Sequence, residues 1–267
     1  MVRSSQRMVP VDEKDRIGDA LVIGRKYPKP PISEASIEIR VTTGPEIDEA
    51  FLKNLYSEIR NDYSRQVVVS DFEAQFSKAS GESEATASAT QKFAGFASIS
   101  ETKHQIVVAA PERFAFTRQA PYGSWEDFSS EARELWHVYR SKTAPLNITR
   151  VGTRYINRIN IPYPSIDIGS YFRTFPEISS AMPQHLDRYF MQLQMPQQDI
   201  ACTVLLNQAL LPTVAEGVVS MLLDIDVFEE SESFTPEQAW NRLEEFRHKK
   251  NQIFESCITD RTRELFE

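Results

Sequence analysis

The chain has 267 residues, of which 41% are hydrophobic and 10% aromatic, enough for one large domain or two small ones with a sizeable core. The formal net charge at pH 7 is −8, and residues 1–31 hold seven Lys or Arg against four Asp or Glu, so a mildly basic segment precedes an acidic body. An acidic body matches phosphate backbones poorly, which argues against a nucleic-acid-binding protein.

The chain lacks the sequence features of an exported or membrane-bound protein. Its first residues contain no apolar signal-peptide core, and no run approaches the ~18 apolar residues of a membrane span. Cys202 and Cys257 are the only two cysteines and lie in separate apolar runs, which predicts two buried thiols rather than a disulfide. We therefore expect a cytoplasmic protein with no membrane partner.

The first half of the chain alternates between strand and helix patterns. Residues 1–31 are polar, end in Pro-Lys-Pro-Pro and predict a flexible basic arm. Alternating apolar residues over 35–41 predict a strand, and apolar residues spaced by four over 47–59 predict a helix. Small polar residues over 78–90 predict a mobile loop. Further strands are predicted at about 66–77, 92–100, 104–110 and 113–118.

Two capped helices frame the second half. Ser124, with Asp127 three residues later, predicts the start of an aromatic-rich helix that ends before Pro145. Thr235, with Gln238 three residues later, predicts the start of the last long helix. Strands are predicted between these helices at about 148–161, 188–195, 199–211 and 217–228.

The order of elements predicts two similar halves. Residues 32–146 and 147–267 each follow a β-α-β-β-β-α-like order, behind the arm of residues 1–31. The simplest fold is α+β, with both halves sharing one wide, twisted antiparallel sheet and the helices packed on one of its faces.

Several short blocks, in this order along the chain, resemble a sporadically distributed family of uncharacterised prokaryotic proteins of about this length. The resemblance covers residues 31–267, whereas the basic arm departs from the compact start expected of that family. The blocks are Pro31–Ala35, Phe114–Arg118, Pro121–Phe128, Leu135–Tyr139, Arg154–Ile159, Leu223–Val227 and Phe254–Thr259.

The resemblance implies a bacterial accessory protein, with roles such as phage defence or toxin neutralisation. It supplies no catalytic residue and no cofactor. The sequence itself has only 9 Gly and no glycine-rich phosphate loop, and its four histidines show no zinc-binding spacing. We therefore predict no cofactor, no metal site and no catalytic residue.

The predicted strand over residues 148–161 is the most informative stretch. Period-two alternation places Arg150, Arg154 and Arg158 on one face of this strand. No Asp or Glu occurs between residues 135 and 166, so these guanidinium groups need carboxylates from other strands or an anionic partner. The three arginines are therefore either an ion-pair layer or an anion site.

Asp224 and Asp226 are the candidate partners, because they are two residues apart on a strand and share one face. We expect Arg154 and Arg158 to meet these two aspartates across the sheet. A divalent cation held by the two carboxylates is the weaker alternative, since hard cations need more oxygen ligands. An exposed anion site on the arginines stays open.

Two other groups of residues predict structural features, and one of them also allows a functional interpretation. Trp125, Trp136 and Tyr139 predict a core layer between helix and sheet, with a partner-binding surface as the alternative. The cluster from His248 to Lys250 predicts a solvated face of the last helix.

The leading functional prediction is a non-enzymatic interaction or regulatory protein. Its expected partner is another protein, encoded nearby or a second copy of this chain, and not nucleic acid. The alternative is a module that binds an anionic small ligand or nucleotide through the arginines of the 148–161 strand. An enzyme is the least favoured class, because no catalytic motif is present.

Overall fold

A computed structural model of the protein describes residues 25–44, 47–77, 86–162, 167–184, 186–212 and 215–267. The described strands are β1 Ile32–Thr42, β2 Arg65–Ser77, β3 Thr86–Ser100, β4 Gln105–Ala110, β5 Arg113–Gln119, β6 Asn147–Ile161, β7 Phe190–Gln197, β8 Cys202–Leu211 and β9 Val219–Phe234. The described helices are α1 Glu49–Ile59, α2 Trp125–Thr143, α3 Pro236–Cys257 and α4 Asp260–Arg263.

The nine described strands form one antiparallel sheet in the order β2-β3-β4-β5-β1-β6-β9-β8-β7. Strands β1 and β6 are neighbours near the middle, so each half of the chain contributes one side of the sheet. In both halves a helix, α2 or α3, follows the strand that lies next to the central pair. The predicted α+β fold with one wide antiparallel sheet is confirmed.

One face of the sheet holds the hydrophobic core beneath the helices. Along β1, Ile37 and Ile39 are fully buried, whereas the intervening residues are only partly covered. Tyr155 and Ile159 of β6 and Ile225 of β9 continue this buried face across the sheet centre. Alternation of this kind buries one sheet face beneath the helices; the opposite face is here called the open face.

The predicted helix caps are present. The side chain of Ser124 accepts a hydrogen bond from the backbone N–H of Asp127 at the start of α2. Thr235 and Gln238 form a reciprocal capping box at the start of α3, which has Pro236 as its first residue. These caps satisfy backbone N–H groups that a helix leaves unpaired, and they fix where both helices begin.

Two predictions about irregular segments need correction. The predicted loop over 78–90 is wrong for residues 86–90, which belong to β3; residues 78–85 lie outside the described residues. The predicted flexible arm is wrong for residues 25–31. Tyr27 is buried, and the backbone N–H of Lys29 donates to the carbonyl oxygen of Phe266 at 2.9 Å. Residues 1–24 lie outside the described part of the chain.

Other features agree with the sequence or add to it. Cys202 and Cys257 are free, buried thiols, as predicted. Strand β9 extends to Phe234, six residues beyond its predicted end. Within the described ranges, no helix combines the length and the apolar character needed to cross a membrane.

Candidate ligand cavity

The three arginines of β6 lie on the open face of the sheet. Val151 and Tyr155 of β6 are buried on the helix-covered face, so the alternating residues Arg150, Arg154 and Arg158 point the other way. Asp224 and Asp226 of β9 share this face, and Arg154 is directly opposite Asp226 in the strand register. The fold therefore brings the predicted basic and acidic residues together.

Arg150 is held by two carboxylates and an aromatic ring. Its side chain is 10% exposed, with Nη1 at 2.7 Å from Oε1 of Glu38 and Nη2 at 3.2 Å from Oδ2 of Asp226. The guanidinium lies 4.3 Å from the centre of the Phe228 ring. A Cβ on Gly152 would come within 3.1 Å of Nη1, so glycine at this position leaves room for the guanidinium.

Arg154 and Asp224 form a bidentate pair. Nε and Nη2 of Arg154 donate to the two carboxylate oxygens of Asp224 at 2.8 and 2.7 Å. The side-chain amide of Asn207 donates a third hydrogen bond to Asp224 at 2.9 Å. Asp224 is only 2% exposed, so these donors replace the water that its charge would otherwise need.

Arg158 has no carboxylate partner among the described residues, which corrects its expected pairing with an aspartate. Its Nε is buried and makes no hydrogen bond within that part of the chain. The strand register explains this result, because Arg158 lies opposite Leu222. Arg154 reaches diagonally toward Asp224, and Arg150 extends past Gly152 to Asp226.

Burial has the largest influence on the pKa of Asp226. Its pKa is raised above the ordinary value, mainly because the carboxyl is desolvated, although Arg150 and Arg154 lower it. Arg150, Arg154 and their carboxylate partners thus form a compensated network along the open face, and Arg158 is not part of it. Among the described residues, no group of three or more His, Cys, Asp or Glu side chains could hold a metal ion there or elsewhere.

The predicted aromatic group belongs to the core. Trp125, Trp136 and Tyr139 are all buried on α2. The ring of Trp136 lies 5.6 Å from that of Phe114 and 5.5 Å from that of Tyr139. These three residues therefore pack α2 onto the sheet instead of forming a continuous exposed surface.

A cavity of about 310 Å³ lies on the helix side of the sheet, over β6 and between the start of α2 and the second half of α3. The segment of residues 25–32 forms its third wall. Its lining includes the carboxylates of Glu126 and Glu255 and six residues here called the cavity residues: Tyr27, Tyr122, Trp125, Tyr155, Arg247 and Lys250.

Lys250 is the most unusual of the cavity residues. Its side chain lies on the buried side of α3, only 8% exposed, with Nζ 3.8 Å from the centre of the Tyr155 ring. No carboxylate among the described residues forms an ion pair with it. Burial, reinforced by the nearby Arg247, lowers the pKa of Lys250 to about 7.

The charged groups next to Lys250 in the cavity wall, Arg247 and Glu255, already have partners. Arg247 contacts Glu126 at 3.1 Å and Glu244 at 2.8 Å. Glu255 accepts hydrogen bonds at 2.8 Å from the hydroxyl of Tyr27 and from Nε of Arg263. Lys250 thus contributes a positive charge that has no ion-pair partner in the described chain and is favoured only by the face of the Tyr155 ring and by the longer-range attraction of Glu255.

Two tyrosines supply neutral hydroxyl groups beside Lys250. The hydroxyls of Tyr122 and Tyr155 are hydrogen-bonded to each other at 2.8 Å. Burial raises the pKa of Tyr122 to about 12 and raises that of Tyr155 well above the ordinary value. Both groups therefore stay protonated at neutral pH and act as hydrogen-bond donors and acceptors, not as bases.

The wall formed by residues 25–32 is docked onto the end of the chain. The ring of Tyr27 packs edge-on against Phe254 and Phe266, with ring centres 6.5 and 5.2 Å away. Arg25 pairs with Glu267 at 2.7 Å. The cavity therefore depends on contacts between the two ends of the described chain.

This cavity, and the place of Lys250 in its wall, were not predicted from the sequence. The prediction of a solvated face is wrong for Lys249 and Lys250, which are both buried. A signal was present, because Lys250 is four residues from both Phe246 and Phe254 and so falls within the apolar stripe of α3. A lysine at such a position has to be paired, or has to face a polar or hollow site.

Comparison with known proteins adds no assignment. No family model matches the sequence, and no curated protein matches it. The resemblance of the seven blocks to an uncharacterised prokaryotic family therefore stays a prediction, and the function is argued from the geometry alone.

Proposed function

We propose that the protein binds a small anionic ligand in the cavity between α2, α3 and residues 25–32. The observation that carries this proposal is the buried, unpaired amine of Lys250 in the wall of that cavity. A buried charge without a counter-ion is costly, and an anion in the cavity supplies the missing partner. The ligand class is that of the alternative drawn from the sequence, whose leading prediction is an interaction or regulatory protein, and the residues differ from the arginines of that alternative.

The shape and lining of the cavity narrow the ligand class. Its volume is at the lower end of the range for small-molecule sites, which favours a ligand smaller than a dinucleotide. Tyr155, Trp125 and Tyr122 offer aromatic surface, while the two tyrosine hydroxyls offer hydrogen bonds. A compact carboxylate or phosphate with a flat apolar part matches these walls.

Binding measurements with chosen probes test the proposal. Benzoate and phenyl phosphate carry the anion and the flat ring, inorganic phosphate carries only the anion, and benzamide carries only the ring. We expect calorimetry and thermal melts to show binding of the two aromatic anions, weaker binding of phosphate and none of benzamide. Binding should be accompanied by proton uptake at pH near 7, since an anion favours the charged form of Lys250.

Matched variants separate the cavity from general charge effects. Lys250→Met should abolish binding, whereas Lys249→Met should leave it unchanged, because Lys249 is equally buried but pairs with Asp199 at 2.5 Å. Equal binding by wild type and Lys250→Met, or no binding of any anion to a folded wild type, would overturn the proposal.

A second candidate function is self-association through a sheet edge. Strand β7 is the last strand on one side of the described sheet, carries no charged residue over Phe190–Gln197, and exposes 66% of Phe190. Edge strands are normally protected by charges or by proline, and β7 has only Pro196, near its end, so its uncharged first part with an exposed aromatic residue favours pairing with a second copy of this chain. Light scattering should show a dimer that Phe190→Lys converts to a monomer; a monomeric wild type would exclude it.

We also propose a cytoplasmic location. The free thiols of Cys202 and Cys257 support it, because free cysteines are typical of reducing compartments. Cell fractionation with an antibody against the chain tests this location directly.

A further inference from the structure

We infer that Lys250 reacts covalently, forming a Schiff base with a ligand that carries a carbonyl group next to its carboxylate. This inference rests on the proposed function, since it names the ligand class of the same cavity. The 2-oxo acids and their aldehyde counterpart, glyoxylate, have this chemistry. The cavity brings together the three requirements: an accessible amine, a desolvated site and a positive charge that remains after reaction.

The position of Lys250 suits a nucleophilic amine. Its Nζ lies over the face of Tyr155 and makes no ion pair or hydrogen bond with any described residue, so its lone pair is not engaged once the amine is neutral. Lysines become nucleophilic when they are desolvated or lie near another cation, and Lys250 meets both conditions because Arg247 is close. Its lowered pKa, about 7, leaves a large neutral fraction at physiological pH.

Comparison with Lys249 shows why we assign the reaction to Lys250. The two lysines are neighbours on α3 and are equally buried. Nζ of Lys249 donates to the carboxylate of Asp199 at 2.5 Å, so this nitrogen is held in an ion pair. Lys249 is also absent from the cavity lining. The difference between the two residues therefore lies in pairing and access, with burial held constant.

The reaction balances without an oxidant or reductant. The neutral amine of Lys250 attacks the carbonyl carbon, a C–N bond forms, and the carbonyl oxygen takes up a proton to give a carbinolamine. Loss of that oxygen as water, with a second proton, leaves a C=N bond whose nitrogen is protonated. The hydroxyl pair of Tyr122 and Tyr155 lines the same cavity and can donate hydrogen bonds to the departing oxygen.

The charge is preserved by this chemistry. A protonated Schiff base carries one positive charge, as the protonated lysine does, so the adjacent carboxylate keeps its counter-ion. A ligand with a carbonyl but no anionic group loses this pairing. A ligand with an anionic group but no carbonyl binds reversibly and forms no bond to Lys250.

Reductive trapping tests the inference on the full-length protein. Wild type is incubated with glyoxylate at pH near 7 and reduced with cyanoborohydride, and peptide mass mapping then locates the added carboxymethyl groups. We expect labelling at Lys250 at least about 10-fold faster than the average of the other lysines, because most exposed amines are protonated at this pH. Benzoate should slow labelling at Lys250 by competition and leave the other lysines unaffected.

Arginine variants of Lys250 and Lys249 separate Schiff-base formation from simple anion binding. Lys250→Arg keeps the charge but forms no Schiff base, so the fast label should disappear, whereas Lys249→Arg should keep it; thermal melts confirm that each variant is folded. Wild type that binds benzoate but gains no preferential label at Lys250 overturns the Schiff-base inference and leaves the proposed function standing. Wild type that neither binds benzoate nor labels at Lys250 overturns both.

Discussion

The open face and the helix side of the sheet differ in whether their buried charged side chains have carboxylate partners. On the open face, Arg150 and Arg154 each meet a carboxylate, and Asp224 receives three hydrogen bonds. On the helix side, Lys250 is as buried as Arg150, at 8% exposure, but has no carboxylate contact among the described residues. A compensated network needs no ligand to be stable. An uncompensated charge beside a hollow space indicates a binding site, since strained electrostatics cluster at functional positions.

The largest effect should come from breaking the open-face network. Arg154→Ala leaves the carboxylate of Asp224 buried with only Asn207 as donor, and we expect a loss of about 3–5 kcal/mol in the free energy of unfolding. Asp224→Ala should cost a similar amount. Denaturant unfolding of the singles and the double variant checks this: the double should cost clearly less than the sum. Additive effects would show that the two residues are not coupled.

The second effect should come from Lys250 and should depend on pH. Its folded pKa of about 7 lies below the ordinary lysine value, so the unfolded state holds more protons above pH 7 and the wild type gains stability as pH rises. Lys250→Met removes this dependence. The stability advantage of the variant should therefore be largest below pH 7, where folded and unfolded states both carry the proton, and shrink by about 2–3 kcal/mol between pH 7 and pH 9.

Denaturant unfolding of the wild type and of Lys250→Met between pH 7 and pH 9 measures this difference in stability. A stability difference that is constant from neutral to mildly alkaline pH would mean that the amine of Lys250 titrates normally. The paired Lys249 provides the control, as Lys249→Met removes an amine of equal burial that is engaged by Asp199.

The wall of the cavity provides a third test. Tyr27→Ala removes the ring that packs against Phe254 and Phe266, and we expect a cost of about 2 kcal/mol, or roughly 4–8 °C in melting temperature. Anion binding should weaken in parallel, because residues 25–32 no longer enclose the ligand. Unchanged stability would show that this segment is not docked in solution.

The smallest effect should come from Arg158. It has no carboxylate partner among the described residues and its Nε is buried without a hydrogen bond, so Arg158→Ala removes both an unsatisfied group and the packing of its side chain, and we expect the free energy of unfolding to change by no more than about 1 kcal/mol. Comparison with Arg154→Ala sharpens the distinction between paired and unpaired arginines of one strand. A loss comparable to that of Arg154→Ala would indicate a partner outside the described residues.

Much of the fold could be predicted from the sequence because it depends on local patterns. Alternation of apolar residues along β1 and β6 and the caps at Ser124 and Thr235 are short-range signals, and the structure follows them. Residues 25–31 were misjudged because their order depends on Phe254 and Phe266, far away in the chain. Long-range docking leaves little trace in local composition.

The functional region could be predicted only in part. The acidic and basic residues of the open face were recognised, but which arginine meets which aspartate depends on strand register and on the space left by Gly152. The cavity was missed because its walls come from three distant segments. Of the cavity residues, only Lys250 could have been recognised from the sequence, because it is a charged residue within the apolar stripe of α3.

The pKa of Lys250 tests the central claim most directly. Lysine side-chain NMR, with the resonance of Lys250 assigned by its absence in Lys250→Met, follows the titration of this single amine in the folded protein. The account predicts a pKa near 7 without ligand and an upward shift when benzoate is added. A pKa close to the ordinary value of about 10.4 without ligand, unchanged by benzoate, would contradict it.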